Sequence, residues 1–516
     1  MSSPSSTKSI SYWIDSTPQT DYSEFAENIS VDVAIVGAGI VGLTAAAQLK
    51  KAGKTVAVIE SKKVATGVSG HTTAKITSLH HLIYQDLLAD LGQEKAKLYA
   101  ESNQAALEYI ANRVETEQID CDFSRQNAYT FAESVKEREK IEAEVEAAQS
   151  LGLPASFVKT TSLPFPISGA IQFENQAQFH ARKYLLHLAK TIPENGSYLF
   201  ENTRVEDVKE EKTACRVKTR RGKITAKDVI VATNIPILDQ GLFFAKAYPK
   251  RSYLIGAPID PEKAPQGMFI GTGDHYRSIR TTPYNGRLLL LVGGEGHKTG
   301  TVTETEKRFL PLEEYAYARF GVNSIDYRWS SQDMVSFDKL PYIGKLTPLH
   351  NHIYVATGLS LWGMTKGTLS GMLLSDLILE QENPWLNLYD STRATPFVSK
   401  TSIKENAEVA IHWIGDRLKG RQDSVSELKP GEGKVVDLEG DQVAVHRDEK
   451  NKLHAVSAVC SHLGCVVNWN QAEKSWDCPC HGARFDCTGT VLRGPATQDL
   501  SNLQVSEDQE GHVVSV

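Results

Sequence analysis

Two short segments near the end of this 516-residue chain hold the residue types best suited to chemistry: Cys460-x-His462 and Cys478-x-x-His481. Each supplies one thiolate and one imidazole, a donor set that binds borderline and soft transition metals. Five of the seven cysteines (Cys460, Cys465, Cys478, Cys480 and Cys487) fall within 28 positions, and such crowding signals a metal site rather than a secreted disulfide framework. Four Cys and His ligands would satisfy tetrahedral zinc, but zinc fingers usually pair Cys with Cys and His with His, whereas each loop here mixes them. A second constellation lies near the start, in GAGIVG at 37–42. Gly37, Gly39 and Gly42 permit a tight turn, close approach of the backbone to a pyrophosphate, and tight packing of a helix on its strand. Glu60 follows Gly42 by 18 residues and is placed to accept hydrogen bonds from a ribose. This fingerprint does not distinguish NAD from FAD.

The elements that must position these groups can be read around them. The β-branched run VDVAIV at 31–36, the alanine-rich stretch to Lys51 and the run TVAVIE at 55–60 predict one βαβ unit, with the helix N-terminus facing the phosphates. Residues 86–118 and 134–150 have helical spacing and are expected to help form a cap. Short β-rich runs from 197 to 335 predict a mixed sheet, and IYVATG at 353–358 predicts a strand and glycine turn before a helix from about Gly367 to Glu380. The proline-bearing segment 382–396 and an amphipathic stretch through Ile403, Ala407, Ala410, Ile414 and Leu418 predict a linker. Beyond about 426 the pattern becomes short strands and close turns.

Several segments, in order, resemble the D-amino-acid oxidase family, which includes the glycine and sarcosine oxidases: ATGVSGHTTAK at 65–75, DVIVATN at 228–234, LLLLVGGEGH at 288–297, RWSSQDMVSFDKLPYIG at 328–344 and IYVATGLSLWGMTKGTLSG at 353–371. The resemblance covers about residues 28–385. It implies FAD running from the first glycine turn to the last, with Gly358, Trp362, Gly363 and Met364 beside the flavin ring or ribityl chain. It also implies a substrate whose carbon bears an amine or hydroxyl, held by basic and aromatic residues, for which Lys75, Arg251, Tyr253, His297 and Lys366 are the candidates. Other roles stand beside these: Lys75 on a flavin phosphate, Arg251 and Tyr253 supporting a strand, His297 capping a turn. His71 does not fall where some relatives attach FAD covalently, so noncovalent FAD is expected.

The segment CSHLGCVVNWNQAEKSWDCPCHGARFDCTGTVLRGPA at 460–496 resembles the Rieske domain, over about residues 426–516. That resemblance implies a [2Fe-2S] cluster with two cysteines on one iron and two histidines on the other, here Cys460, Cys478, His462 and His481. It implies a disulfide between Cys465 and Cys480, two reduced thiols being the alternative, and it leaves Cys487 as a small buried residue. High-potential Rieske proteins carry Ser and Tyr where this chain has Ala483 and Phe485, which implies a lowered reduction potential.

A chain this long exceeds the roughly 250 to 300 residues of a single core, so two or three domains are expected. The expected architecture is α/β (α+β): an FAD-binding Rossmann-like domain with an inserted mixed-sheet substrate domain, plus a small all-β C-terminal Rieske domain. The oxidoreductase is expected at 28–385, with FAD-binding parts at about 28–85, 165–235 and 337–385 and cap parts at about 86–164 and 236–336. A linker spans 386–425 and the Rieske domain 426–516. A net charge of -7 without long like-charge blocks argues against a nucleic-acid partner, and the longest aliphatic run, Leu288 to Val292, is far too short to span a bilayer. The polar start MSSPSSTKSISYW predicts a cytoplasmic protein. No second dinucleotide fingerprint is present, so electrons are expected to come from an amine or amino acid rather than from nicotinamide and to leave through the cluster to an external acceptor. An electron-transfer reductase, a redox sensor and an oxygenase are the rival readings; the last would require a two-His-one-carboxylate iron site, and no spaced triad follows the cluster motif.

Overall fold

The apolar run at 31–36 forms the strand Ile29–Val36, the centre of an eight-stranded sheet in a computed structural model that describes residues 7–274, 276–394, 424–508 and 512–515. Val33, Ala34 and Ile35 are fully buried because parallel strands flank it on both sides, Gly222–Val231 and Val56–Ile59. A parallel sheet covered on both faces demands such unbroken apolar runs. Tyr198–Phe200 extends the sheet beyond Val56–Ile59; Ile353–Thr357 and Tyr342–Lys345 extend it beyond Gly222–Val231. The helices Ile40–Lys51 and Gly363–Ile378 pack together on this sheet.

The second sheet has nine strands and is mixed, with Met268–Gly271 parallel to Ser124–Ala132 among otherwise antiparallel pairs. Its edge strand Tyr327–Ser336 pairs with Ala247–Ile259, which pairs in turn with Arg287–Lys298. Helix Val135–Ser150 begins at a capping box, with the Ser134 hydroxyl accepting from the Glu137 amide. The helical span Tyr84–Thr116, broken by a kink at Gly92, is capped at its start by a distant side chain: buried Glu144 accepts from the amides of Ile83, Tyr84 and Gln85.

Two expectations shift. Strands Lys75–Ile76 and Gly169–Gln178, which fall in segments expected to bind the dinucleotide, belong to the second sheet. The helix after strand Ile353–Thr357 starts at Gly363 rather than near Gly367, since the Lys366 amide already donates to the Trp362 carbonyl to close its first turn. Past Ser424 the described residues are all β, in two four-stranded sheets and a two-stranded ribbon. The amphipathic stretch from Ile403 to Leu418 lies outside the described residues.

Candidate functional site

Gly37 ends the central strand at φ 109°, and a Cβ there would lie 2.6 Å from the Ala232 carbonyl oxygen; one on Gly42 would lie 2.0 Å from that of Gly37. Only glycine permits this turn. It opens onto a cavity of about 830 Å³ that runs from Glu60 past Gly37 and Gly39 to Trp362, Gly363 and Met364. Glu60 accepts from the amides of Ala38 and Lys62, which fixes its carboxylate at the cavity's far end. Ser69 accepts from the Ile40 amide at 3.0 Å, so the segment after the second strand closes on the helix N-terminus. Size, glycine cradle and helix end suit a dinucleotide. Gly358 does not line the cavity; at φ 73° it turns the chain toward the residues that do.

Lys75 and Tyr253 line the same cavity. The Lys75 ammonium donates to the Phe269 carbonyl and to Ser278, and burial, reinforced by Arg280, pushes it well below the ordinary lysine range. The Tyr253 hydroxyl meets His297 Nε2 at 2.9 Å, and the other ring nitrogen lies 2.8 Å from the Lys298 carbonyl. Burial pushes His297 down to about 4, leaving a neutral ring that orients the phenol. Lys366 lies outside the cavity lining, bonded to the Lys339 carbonyl and pushed down to about 7 by burial. Arg251 departs from its expected role. Its guanidinium is buried against Glu473 and Ser330 and lies 3.7 Å from Asp477, so two carboxylates of the C-terminal domain claim it. His71 lines the cavity with Nδ1 2.8 Å from the Gly67 carbonyl.

The two Cys/His loops have matching backbones. Cys460 N donates to Cys465 O and Gly464 N returns to Cys460 O; Cys478 N donates to Ala483 O and Gly482 N returns to Cys478 O. The Cys460 and Cys478 thiols are buried and close enough to hydrogen-bond each other. The rings of His462 and His481 stand perpendicular, 5.0 Å between centroids, and the Nδ1 atom of each is buried without a hydrogen-bond partner among the described residues. Two orphaned imidazole nitrogens beside two free thiols fit a bound cluster, since buried polar atoms otherwise find partners. The sulfurs of Cys465, Cys478 and Cys480 also gather within 4.8 Å, but Cys465 and Cys480 are joined as a disulfide with Cα atoms 6.5 Å apart, so they brace the loops instead of ligating.

The larger half covers the histidine side of this centre. His462 Nε2 lies 2.8 Å from Asp239, and the Phe244 ring packs against both histidines at 5.7 and 4.9 Å. Strand Tyr327–Ser336 separates the two sites by its alternation. Ser331, Asp333 and Val335 face the cavity, while Ser330 bonds Glu473 and Gln332 donates to the Gly482 carbonyl at 2.8 Å. Gly482 is at φ 74°, and a Cβ there would lie 2.5 Å from the Pro249 Cβ, so only glycine lets this loop reach the strand. Sequence reasoning missed Asp239, Phe244, Gln332 and Glu473. Only Gln332 left a signal, in the alternation of RWSSQDMVS.

Comparison with known proteins agrees with these two sites. The FAD dependent oxidoreductase (DAO) family model matches residues 32–377 and the Rieske [2Fe-2S] domain model residues 421–504. The chain is 37% identical over 498 residues to the putative Rieske 2Fe-2S iron-sulfur protein YhfW of Bacillus subtilis (strain 168), covering 96% of this chain and 97% of that one. It is 25% identical over 384 residues to gamma-glutamylputrescine oxidoreductase of Escherichia coli (strain K12), 68% of this chain and 84% of the relative. Glycine oxidase from Geobacillus kaustophilus shares the fold of the larger half, with a TM-score of 0.60 at 20% identity over 71% of this chain and 99% of that one. No helix among the described residues is long and apolar enough to cross a membrane. The chain belongs to the DAO family of FAD-dependent oxidoreductases with a C-terminal Rieske domain, the one domain binding FAD and the other a [2Fe-2S] cluster.

Proposed function

We propose that the chain oxidises a C–N bond of an amine, N-methyl amine or amino acid, and that the electrons leave through the Rieske domain to an external acceptor. Bound FAD supplies hydride acceptance and the cluster one-electron relay. The observation that carries this reading is the strand Tyr327–Ser336: Ser331 and Asp333 face the cavity on either side of Gln332, which bonds the cluster loop at Gly482, so one strand borders both sites. A shared wall of this kind favours exchange of electrons within the chain over two unrelated activities.

Within this reading Gly37, Gly39 and Glu60 hold the dinucleotide, Gly42 packs the helix against the turn behind them, and Trp362, Gly363 and Met364 flank the flavin. Tyr253, oriented by His297, and Lys75 orient the substrate in the cavity, and Arg251 is released from that role. Cys460, Cys478, His462 and His481 hold the cluster. The similarity to gamma-glutamylputrescine oxidoreductase supports an amine as the substrate class. The domain partition at 28–385, 386–425 and 426–516 and a cytoplasmic location belong to the same proposal; burial of Cys465 and Cys480 would shield their disulfide from cytosolic reductants. Anaerobic mixing with a panel of amines and amino acids is expected to bleach the flavin and then change the cluster spectrum. Bleaching by NADH alone, or a cluster that stays oxidised while the flavin bleaches, would overturn the reading.

A further inference from the structure

The FAD cavity is not closed by the larger half alone. Strand Val491–Arg493 and the residues after it, through Thr497, run along one wall. The segment is tethered to the larger half at its start, at Val491 and at Arg493. Arg204, next to the Glu60 end, donates to the Val491 carbonyl at 2.7 Å, and Arg493 Nη1 donates to the Gln332 carbonyl at 2.8 Å. The other guanidinium nitrogen, Nη2, lies 4.0 Å from where a Cβ on Gly67 would sit. Gly67 leads into Ser69, which closes on the N-terminus of the helix from Ile40, where a diphosphate is expected.

Charge points the same way. Seven Lys and Arg line the cavity against three carboxylates, and those three are engaged: Glu60 with the amides of Ala38 and Lys62, Asp333 with that of Leu361, and Glu473 with Arg251 and Arg484. Lys339 pairs with Asp86 and Arg484 also with Asp477, and the cations that remain beside the 491–497 segment are Lys62, Arg204 and Arg493. Burial, with Arg484 and Arg251 beside it, pushes Arg493 down to about 10, and low-dielectric surroundings with Arg484, Arg204 and Arg493 push Lys62 down. Like charges gathered on one wall are unfavourable until an anion arrives.

We propose that the FAD site is a composite of both domains, in which the 491–497 segment of the Rieske domain straps the cofactor in and Arg493 contributes a cation to its diphosphate. The proposal concerns cofactor binding and stands whether or not the substrate is an amine.

The test uses full-length chain carrying its cluster. Arg493→Gln is expected to weaken FAD binding by about tenfold or more, the loss of one charge-assisted hydrogen bond. Riboflavin, which lacks the diphosphate, is expected to bind the deflavinated variant within about twofold of the parent, a difference too small to represent a lost hydrogen bond. Arg493→Lys, keeping the charge, is expected to retain most of the FAD affinity. An unchanged Rieske electron paramagnetic resonance signal checks that the domain is folded; if Arg493→Gln loses it, the Lys variant decides. FAD affinity within about twofold of the parent for Arg493→Gln, equal weakening of FAD and riboflavin, or a Lys variant as weak as the Gln variant overturns the proposal.

Discussion

At Ala483 and Phe485 the second cluster loop buries a methyl group and a phenyl ring, neither of which can donate a hydrogen bond to sulfur. Hydrogen bonds to cluster sulfur stabilise the reduced state, so their loss lowers the potential. Ala483→Ser and Phe485→Tyr are each expected to raise the cluster potential, by about 60 mV if the new bond is worth about 1.4 kcal/mol in a one-electron couple. A spectroscopically monitored redox titration checks this, and an unchanged potential in both variants would count against it. The candidate ligands were legible because the Cys-x-His and Cys-x-x-His spacings are local and covalently fixed. Arg251 was not legible. It sits on a strand that borders the cavity, but its partner Glu473 lies 222 residues further along, and nothing near Arg251 in sequence says where a buried guanidinium will find its carboxylate.

Between the sites, strand Ala247–Ile259 is held to the Rieske domain by a buried ion cluster through Arg251, and Ser330 of the neighbouring strand Tyr327–Ser336 bonds the same Glu473. Glu473 bridges Arg251 and Arg484, and Asp477 accepts from Arg484 at 2.8 Å. Removing one partner from such a set leaves uncompensated buried charge. Glu473 keeps 29% of its side chain exposed, so Glu473→Gln is expected to cost about 3 kcal/mol, the lower end of the range for breaking a buried pair. Thermal unfolding of the two proteins measures it. Burial alone would raise the Glu473 carboxyl, but Arg251 and Arg484 outweigh it and hold the group below its ordinary value. A depressed folded-state pKa adds stability above the unfolded value and loses it on acidification, so the gap between parent and variant should narrow below about pH 4.3. The parallel core and the glycine turn could be read from apolar runs and Gly spacing, which are local patterns. The partition of strands between the two sheets could not: Lys75–Ile76 and Gly169–Gln178 carry ordinary strand signals, and which sheet takes a strand depends on pairing across the whole chain.

On the scale of the whole molecule, the cofactor sites share structure, so occupancy of one should be felt at the other. The cluster loops converge on two buried thiols outside any disulfide and two buried imidazole Nδ1 atoms without a hydrogen-bond partner among the described residues, so binding energy at these atoms is also folding energy for the domain. The same domain carries the 491–497 wall of the FAD cavity, and its cluster loop is pinned to Gln332 through the Gly482 carbonyl. Full-length chain lacking its cluster should therefore unfold at a lower temperature and bind FAD more weakly, by about fivefold or more if the coupling reaches the usual range for linked sites. The loss should be partial. The Cys465–Cys480 bridge closes a loop of sequence separation 15, worth about 3 kcal/mol by chain entropy, and it keeps the two loops together when iron is gone. Comparing FAD dissociation constants of cluster-loaded and cluster-free protein measures the coupling, and equal constants would make the sites independent. Linkage is reciprocal, so the same factor must appear in reverse, with saturating FAD tightening the chain's equilibrium hold on its cluster.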